Sequence, residues 1–162
     1  MLVTREADYA IRCVIEVAQH GRISAARVAA LQGISPTFLG KIVQSLAKAG
    51  NLATRRGVGG GIALAVPVAD ITLLQVIEAV EGPLCLNDCL TNPPQCQHLE
   101  TCPAFPYLSE AQAGLRATLD VSFAEVIDRL PRSEEVIPVV AGFVGWSPNG
   151  QGSRIAEVGD AP

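Results

Sequence analysis

Residues 24–66 read SAARVAALQGISPTFLGKIVQSLAKAGNLATRRGVGGGIALAV, and this stretch decides the fold. Ser24 stands before AARVAALQ as a helix cap, and Gly33 ends that segment. Ser35 and Pro36 then supply the preferred cap and first-turn residues for a second helix that runs to a Gly50 stop. Two short helices joined by the tight turn Gly33-Ile34-Ser35 form a helix-turn-helix signature. On the second of them Leu39, Ile42, Val43 and Leu46 are spaced to bury. Thr37, Lys41, Gln44, Ser45 and Lys48 fall on the opposite face and offer hydroxyls, an amide and two ammonium groups, which read base edges and hold phosphates.

After Gly50 come the strand-like segments LATRR and GIALAV, separated by GVGG, with Arg55 and Arg56 at the base of the glycine-rich tip and Gly57 beginning it. A helix-turn-helix followed directly by a basic hairpin is a winged helix. The expected fold class is therefore mainly α, with a winged helix-turn-helix over residues 1–83 including the following helix. The recognition helix would enter a major groove while the wing arginines reach phosphates or a narrow minor groove. The glycines do not make a nucleotide loop, because no Lys-Ser/Thr follows them and GxGxxG is not matched.

Upstream, Thr4 is placed to cap a first helix with Ala7, Ala10, Ile11, Val14, Ile15 and Ala18 on its apolar stripe. Asp8 lies one turn from Arg12, the spacing of a solvated ion pair. Downstream, Thr72-x-x-Gln75 is a capping box opening a helix that stops at Gly82-Pro83. Ser109-x-x-Gln112 then predicts the start of a long helix over 108–130 with Leu115, Leu119, Phe123, Val126 and Leu130 along one stripe. A small domain can hardly cover such a stripe alone, so a homodimer is expected, and a dimer calls for a palindromic duplex. The tail, 131–162, is expected to be partly disordered. The apolar run at 136–146 has no assigned role.

Charge is partitioned along the chain. The net charge is −4, but residues 1–66 hold eight Lys or Arg against three acids, a balance of +5, and the other 96 residues balance to −9. Only the first half is suited to a polyanion. At 162 residues and 49% hydrophobic content the chain can build a core, and no apolar run is long enough for a membrane. No signal peptide is expected, since Arg5, Glu6, Asp8 and Arg12 occupy the place of an apolar segment, so the expected compartment is the cytoplasm. No nucleophile-base order suggests an enzyme, and His20 and His98 are the two histidines.

Residues 85–102, CLNDCLTNPPQCQHLETC, hold four of the five cysteines together with His98, Asp88 and Glu100. Three readings compete for this loop, 84–107 with its flanks. Disulfides fit poorly with the expected compartment. A zinc site pairs its ligands in short knuckles, a form that only Cys85-x3-Cys89 meets. An iron-sulfur cluster tolerates the longer gaps between Cys89, Cys96 and Cys102. Spacing alone leaves zinc and iron-sulfur both open.

The order of helix, helix-turn-helix, wing reading RRGVGGG, segment ADITLLQVIEAVEG, cysteine loop and C-terminal helix resembles the IscR/NsrR/RirA regulators, the Rrf-two family of bacterial winged-helix repressors, over about residues 1–130. That resemblance implies a transcriptional regulator binding double-stranded DNA under control of an iron-sulfur cluster, 4Fe-4S ahead of 2Fe-2S, that senses nitric oxide, iron or redox state. It implies Cys89, Cys96 and Cys102 as ligands. The gap between the first two is six residues rather than five, and Cys85 is an additional thiol. No histidine follows the third cysteine, and Asp8 matches the aspartate that some members contribute from the partner subunit as fourth ligand, with His98 and Cys85 behind it. The alternatives are an iron-sulfur electron-transfer or metal-trafficking protein without DNA binding, and a regulator that uses zinc or thiols alone.

Overall fold

The computed structural model describes residues 3–57 and 59–130. The expected disorder of the tail and the apolar run at 136–146 lie outside the described residues. The elements are α1 (Arg5–His20), α2 (Ala25–Gln32), α3 (Pro36–Lys48), β1 (Leu52–Arg55), β2 (Gly61–Leu64), α4 (Leu73–Glu81), α5 (Phe105–Leu119) and α6 (Phe123–Asp128). No helix among them is long and apolar enough to cross a membrane.

Local chemistry sets most boundaries where the sequence puts them. Thr4, Ser24 and Ser35 each accept a hydrogen bond from a first-turn amide of the helix they precede, and Gly33 takes the left-handed conformation after α2. The capping box before α4 is complete: Thr72 Oγ1 accepts from Gln75 N while Gln75 Oε1 accepts from Thr72 N. The strands are shorter than LATRR and GIALAV by one and two residues. They pair antiparallel with Leu52 opposite Leu64 and Arg55 opposite Gly61.

One core joins these elements. Ala10, Cys13, Val14 and Val17 of α1 meet Val28 of α2, Leu39, Ile42 and Leu46 of α3, Leu52 and Ile62 of the hairpin, Val76 of α4 and Phe123 of α6. The stripe of α1 is rotated from the expected one. Ala7, Ala10, Cys13, Val14 and Val17 are its centre, and Ile11, Ile15 and Ala18 are half-buried at its edge. Burial raises the Cys13 thiol from 9.0 to about 12, helped by the nearby Glu16 carboxylate, so this cysteine is held neutral.

The helix expected over 108–130 is two helices. α5 begins at Phe105, with no side-chain cap, and Gln112 does not cap it but accepts from Leu86 N at 2.9 Å. It ends at Leu119, and Ser122 caps α6 by accepting from Glu125 N. The break is made by tertiary hydrogen bonds: Leu73 N donates to Val121 O at 2.9 Å and Phe123 N to Ile71 O at 2.8 Å. Those bonds carry Phe123 into the core, where it is fully buried, while Leu115, Leu119, Val126 and Leu130 remain half-covered.

Candidate functional site

The helix-turn-helix presents the side chains that its sequence pattern assigns to it. With Leu39, Ile42, Val43 and Leu46 turned inward, Thr37, Lys41, Gln44 and Lys48 are exposed and Ser45 is half-exposed. The hairpin beside it exposes Arg55, Arg56 and Gly57. Its tip tolerates no side chain at Gly60, where a Cβ would lie 2.3 Å from Arg55 O, or at Gly61, where one would lie 2.7 Å from Ile23 O. The second close approach exists because β2 is tied to the segment between α1 and α2. Ile62 N donates to Ile23 O at 2.8 Å and Ile23 N to Ile62 O at 3.0 Å. The wing is therefore fixed to the helical body rather than hanging from α3 alone. An exposed polar helix face next to exposed arginines on a fixed hairpin can hold phosphates on both sides of a groove while side-chain amide and hydroxyl groups reach base edges.

The cysteine loop is built differently. Two 3-10 turns, Asp88–Leu90 and Leu99–Thr101, interrupt it. Cys89 lies in the first and is only 7% exposed, whereas Cys85, Cys96 and Cys102 are half-buried and His98, Asp88 and Glu100 are exposed. The loop is fastened at its start. Leu84 N donates to Glu78 Oε1 at 2.9 Å, Leu86 N to Gln112 Oε1 at 2.9 Å, and the Cys85 thiol to Leu90 O at 3.5 Å. All five cysteines are free thiols. No group of three or more His, Cys, Asp or Glu side chains placed to hold a metal occurs among the described residues. The donor chemistry suits an iron-sulfur cluster or zinc, with three partly accessible thiols and a fourth close to them in sequence. The conformation of the single chain does not gather them.

Asp8 is placed on α1, away from this loop in sequence, and is paired with Arg12: Oδ2 lies 3.0 Å from Nη2, and Nε donates to Oδ1 at 3.3 Å. The Arg12 guanidinium also stands 6.0 Å from the centre of the Tyr9 ring. Tyr9 meets Phe38 edge to face, with ring centres 5.8 Å apart. Asp8 thus connects through three side chains to the first turn of α3, next to Thr37. Sequence reading singled out neither Tyr9 nor Phe38. The signal lay in the aromatic residue flanking each polar candidate, but only the packing of α1 on α3 pairs them.

Glu78 is a third residue that sequence reading passed over. Its Oε1 accepts from Leu84 N and from Arg116 Nη1, at 2.5 Å, so one carboxylate of α4 holds both the entrance to the cysteine loop and the middle of α5. Thr4, the cap of α1, donates from both its backbone amide and its hydroxyl to Glu81 Oε1 at the end of α4.

Comparison with known proteins agrees with this arrangement. The chain is 30% identical over 148 residues to protein aau3 of Rhizobium meliloti, covering 88% of this chain and 93% of that one. It is 34% identical over 92 residues to the HTH-type transcriptional regulator IscR of Vibrio atlanticus, covering 55% of this chain and 53% of that one. Among solved structures it superposes on CymR, the global cysteine regulator of B. subtilis, with a TM-score of 0.65 at 20% identity, covering 81% of this chain and 99% of that one. The Rrf2 family model, described as "Iron-dependent Transcriptional regulator", matches residues 3–129, and this chain belongs to that family of transcriptional regulators.

Proposed function

We propose that the protein represses transcription as a homodimer on palindromic DNA, with the cysteine loop as its sensor. The observation that carries this reading is the exposed face of α3 beside the fixed basic wing. Thr37, Gln44 and Ser45 are assigned to base edges, and Lys41, Lys48, Arg55 and Arg56, with the Gly57 backbone, to phosphates. Two such faces related by a two-fold axis fit two half-sites. The half-covered side of α5 is assigned to the subunit contact.

Cys89, Cys96 and Cys102 are assigned as the ligands of an iron-sulfur cluster, and Asp8 of the partner subunit as the fourth, with His98 or Cys85 in its place if Asp8 keeps its bond to Arg12. When bound, such a cluster supplies a crosslink among thiolates that responds to oxidants, nitric oxide and iron supply. The chain's own residues carry the response. Glu78 fixes the start of the loop and α5 to α4, and the Asp8, Arg12, Tyr9, Phe38 series leads from α1 to the recognition helix. A change of one tenfold step in DNA affinity needs only about 1.4 kcal/mol of coupling through these contacts.

A second reading, in which zinc or the thiols alone act as the sensor, is supported by the four free thiols of the loop, with Cys85-x3-Cys89 at knuckle spacing. Anaerobic purification separates the two. Iron and acid-labile sulfide with visible absorbance, lost in Cys96→Ser and kept in Cys13→Ser, support the cluster. A colourless protein with one zinc per chain supports the alternative. DNA binding is tested by a mobility-shift screen of genomic fragments. Arg56→Ala is expected to weaken binding about tenfold across sequences, while Thr37→Ala or Gln44→Ala changes sequence preference. Failure of both the metal-loaded and the metal-free dimer to select any fragment defeats the reading.

A further inference from the structure

Between Glu16 and Asp70 the chain carries no acidic residue and six cations, Arg22, Arg27, Lys41, Lys48, Arg55 and Arg56. The recognition helix and the wing account for the last four. Arg22 and Arg27 are both exposed and make no ion pair among the described residues. In a chain of net charge −4, two unneutralised guanidinium groups added to those four make a single-sign surface that attracts a polyanion. Their place is set by the tie between the wing and the segment ahead of α2. The bridge of Ile23 to Ile62 is antiparallel and β2 runs away from the wing tip, so the segment through Arg22, Ile23 and Ser24 runs toward the tip. That direction delivers the first turn of α2, which holds Arg27, to the tip end of the hairpin. Arg22 leans on the hairpin itself. Its Cγ lies 3.4 Å from where a Cβ of Gly61 would be, and Gly61 is the cross-strand partner of Arg55. With no side chain at Gly61, the Arg22 stem rests against the base of the wing, and the Arg55 backbone is two strand spacings, about 10 Å, from the segment that carries it.

We propose that Arg22 and Arg27 form a second phosphate clasp, on the edge of the wing away from β1, that holds the sugar-phosphate backbone of duplex DNA flanking the half-site. The proposal rests on the DNA-binding reading and extends its contacts from α3 and β1 to the far edge of the hairpin. Guanidinium groups then stand on both edges of one hairpin, Arg55 on β1 and Arg22 beside β2, so the wing is held on the duplex from two sides. The backbone bonds between Ile23 and Ile62 make the clasp move with the wing. Contacts of this kind go to phosphates and carry no sequence information, so they add affinity equally on all sequences and set how much flanking duplex is covered.

The test uses the full chain and the DNA fragment that the wild-type protein selects in the mobility-shift screen. Arg22→Ala, Arg27→Ala and Arg56→Ala are compared with Arg129→Ala, which makes the same charge change at an exposed position outside the acid-free stretch. With one phosphate on each arginine, a single substitution removes two contacts from a two-fold complex. The slope of log affinity against log salt between about 50 and 200 mM should then fall in magnitude by about 1.8. Affinity is expected to drop about tenfold, by the same factor on the selected fragment and on one with a scrambled half-site. Arg22→Lys and Arg129→Ala are expected to keep the wild-type slope. Hydroxyl-radical footprints of Arg22→Ala should lose protection outside the base pairs at which Thr37→Ala or Gln44→Ala changes preference, and keep it within them. A wild-type slope in Arg22→Ala or Arg27→Ala overturns the clasp, while a reduced slope in Arg56→Ala in the same series leaves the DNA-binding reading standing. An equal loss in Arg129→Ala also overturns the clasp, because net charge alone then accounts for the effect. Failure of the wild-type protein to select any fragment overturns both. If either alanine variant fails to fold, Arg22→Gln and Arg27→Gln carry the same test.

Discussion

The winged-helix body and the segment from Leu84 to Leu119 are of comparable interest for function but are held together in opposite ways. In the first, every helix contributes fully buried side chains to one core. In the second, only Leu84 and Cys89 are buried, and α5 has no buried residue along its 15 positions. What fastens the second region is a small set of polar contacts, from Glu78 to Leu84 N and Arg116 and from Leu86 N to Gln112. A reading head needs one shape, which close packing supplies. An element with little buried area and few anchoring bonds opens locally at a lower free-energy cost.

The comparison is broken most severely in the core. Phe123→Ala removes a fully buried ring that α6 contributes to the core, and a loss of about 3–5 kcal/mol is expected in denaturant unfolding followed by circular dichroism. A value below about 1 kcal/mol would mean that α6 is not part of the folding unit. Glu78→Ala attacks the link between the regions. It strands Leu84 N and Arg116, and because Arg116 is 40% exposed the expected loss is about 1–2 kcal/mol. Amide exchange should quicken over residues 84–119 and stay unchanged in α1 and α3. Uniform acceleration across the chain would contradict the division.

A pH series sharpens the contrast between Cys13 and the loop cysteines. The folded-state pKa of Cys13 is raised from 9.0 to about 12, so the folded chain holds its proton where the unfolded chain has lost it. This contribution is fully present below about pH 9 and is lost as pH rises toward 12. The slope is at most about 1.4 kcal/mol per pH unit. Cys13→Ala should remove that slope between pH 9 and 10, measured against wild type, whereas Cys96→Ser should keep it. Smallest is the effect of Leu115→Ala, on the half-covered side of α5. On the isolated chain it should cost about 0.5 kcal/mol or less. If that side is the subunit contact, the wild-type unfolding midpoint rises with protein concentration and the variant's does not. Identical concentration dependence would move the contact elsewhere.

The chain's legibility differed by region for the same reason. From Thr4 to Glu81 the caps, the inward positions of α3, the glycine tip and the capping box are local features, and each is where spacing predicts it. In α5 and α6 a sustained apolar stripe reads as one helix over 108–130. The alternative was encoded in Ser122 and Glu125, a cap signal equal in form to Ser109-x-x-Gln112. Nothing within the segment ranks two such signals. The hydrogen bonds from Leu73 N to Val121 O and from Phe123 N to Ile71 O rank them, and both join residues about fifty positions apart.

Sequence alone determined the winged-helix class, the face of α3 that is exposed, the basic wing and the family resemblance, because short-range chemistry and helical period govern all of these. Tertiary structure alone decided which carboxylates are joints. Glu78 and Glu81 look like ordinary polar positions on α4 until folding brings Arg116, Leu84 and Thr4 to them. It also decided that Asn51 is a buried amide without a partner, and that Asp8 leads through Arg12 and Tyr9 to Phe38. Asp8 to Arg12 and Glu78 to Leu84 are local, but the contacts that complete each series, Thr4 to Glu81, Glu78 to Arg116 and Tyr9 to Phe38, are set by how whole helices pack, and no local pattern in the chain specifies them.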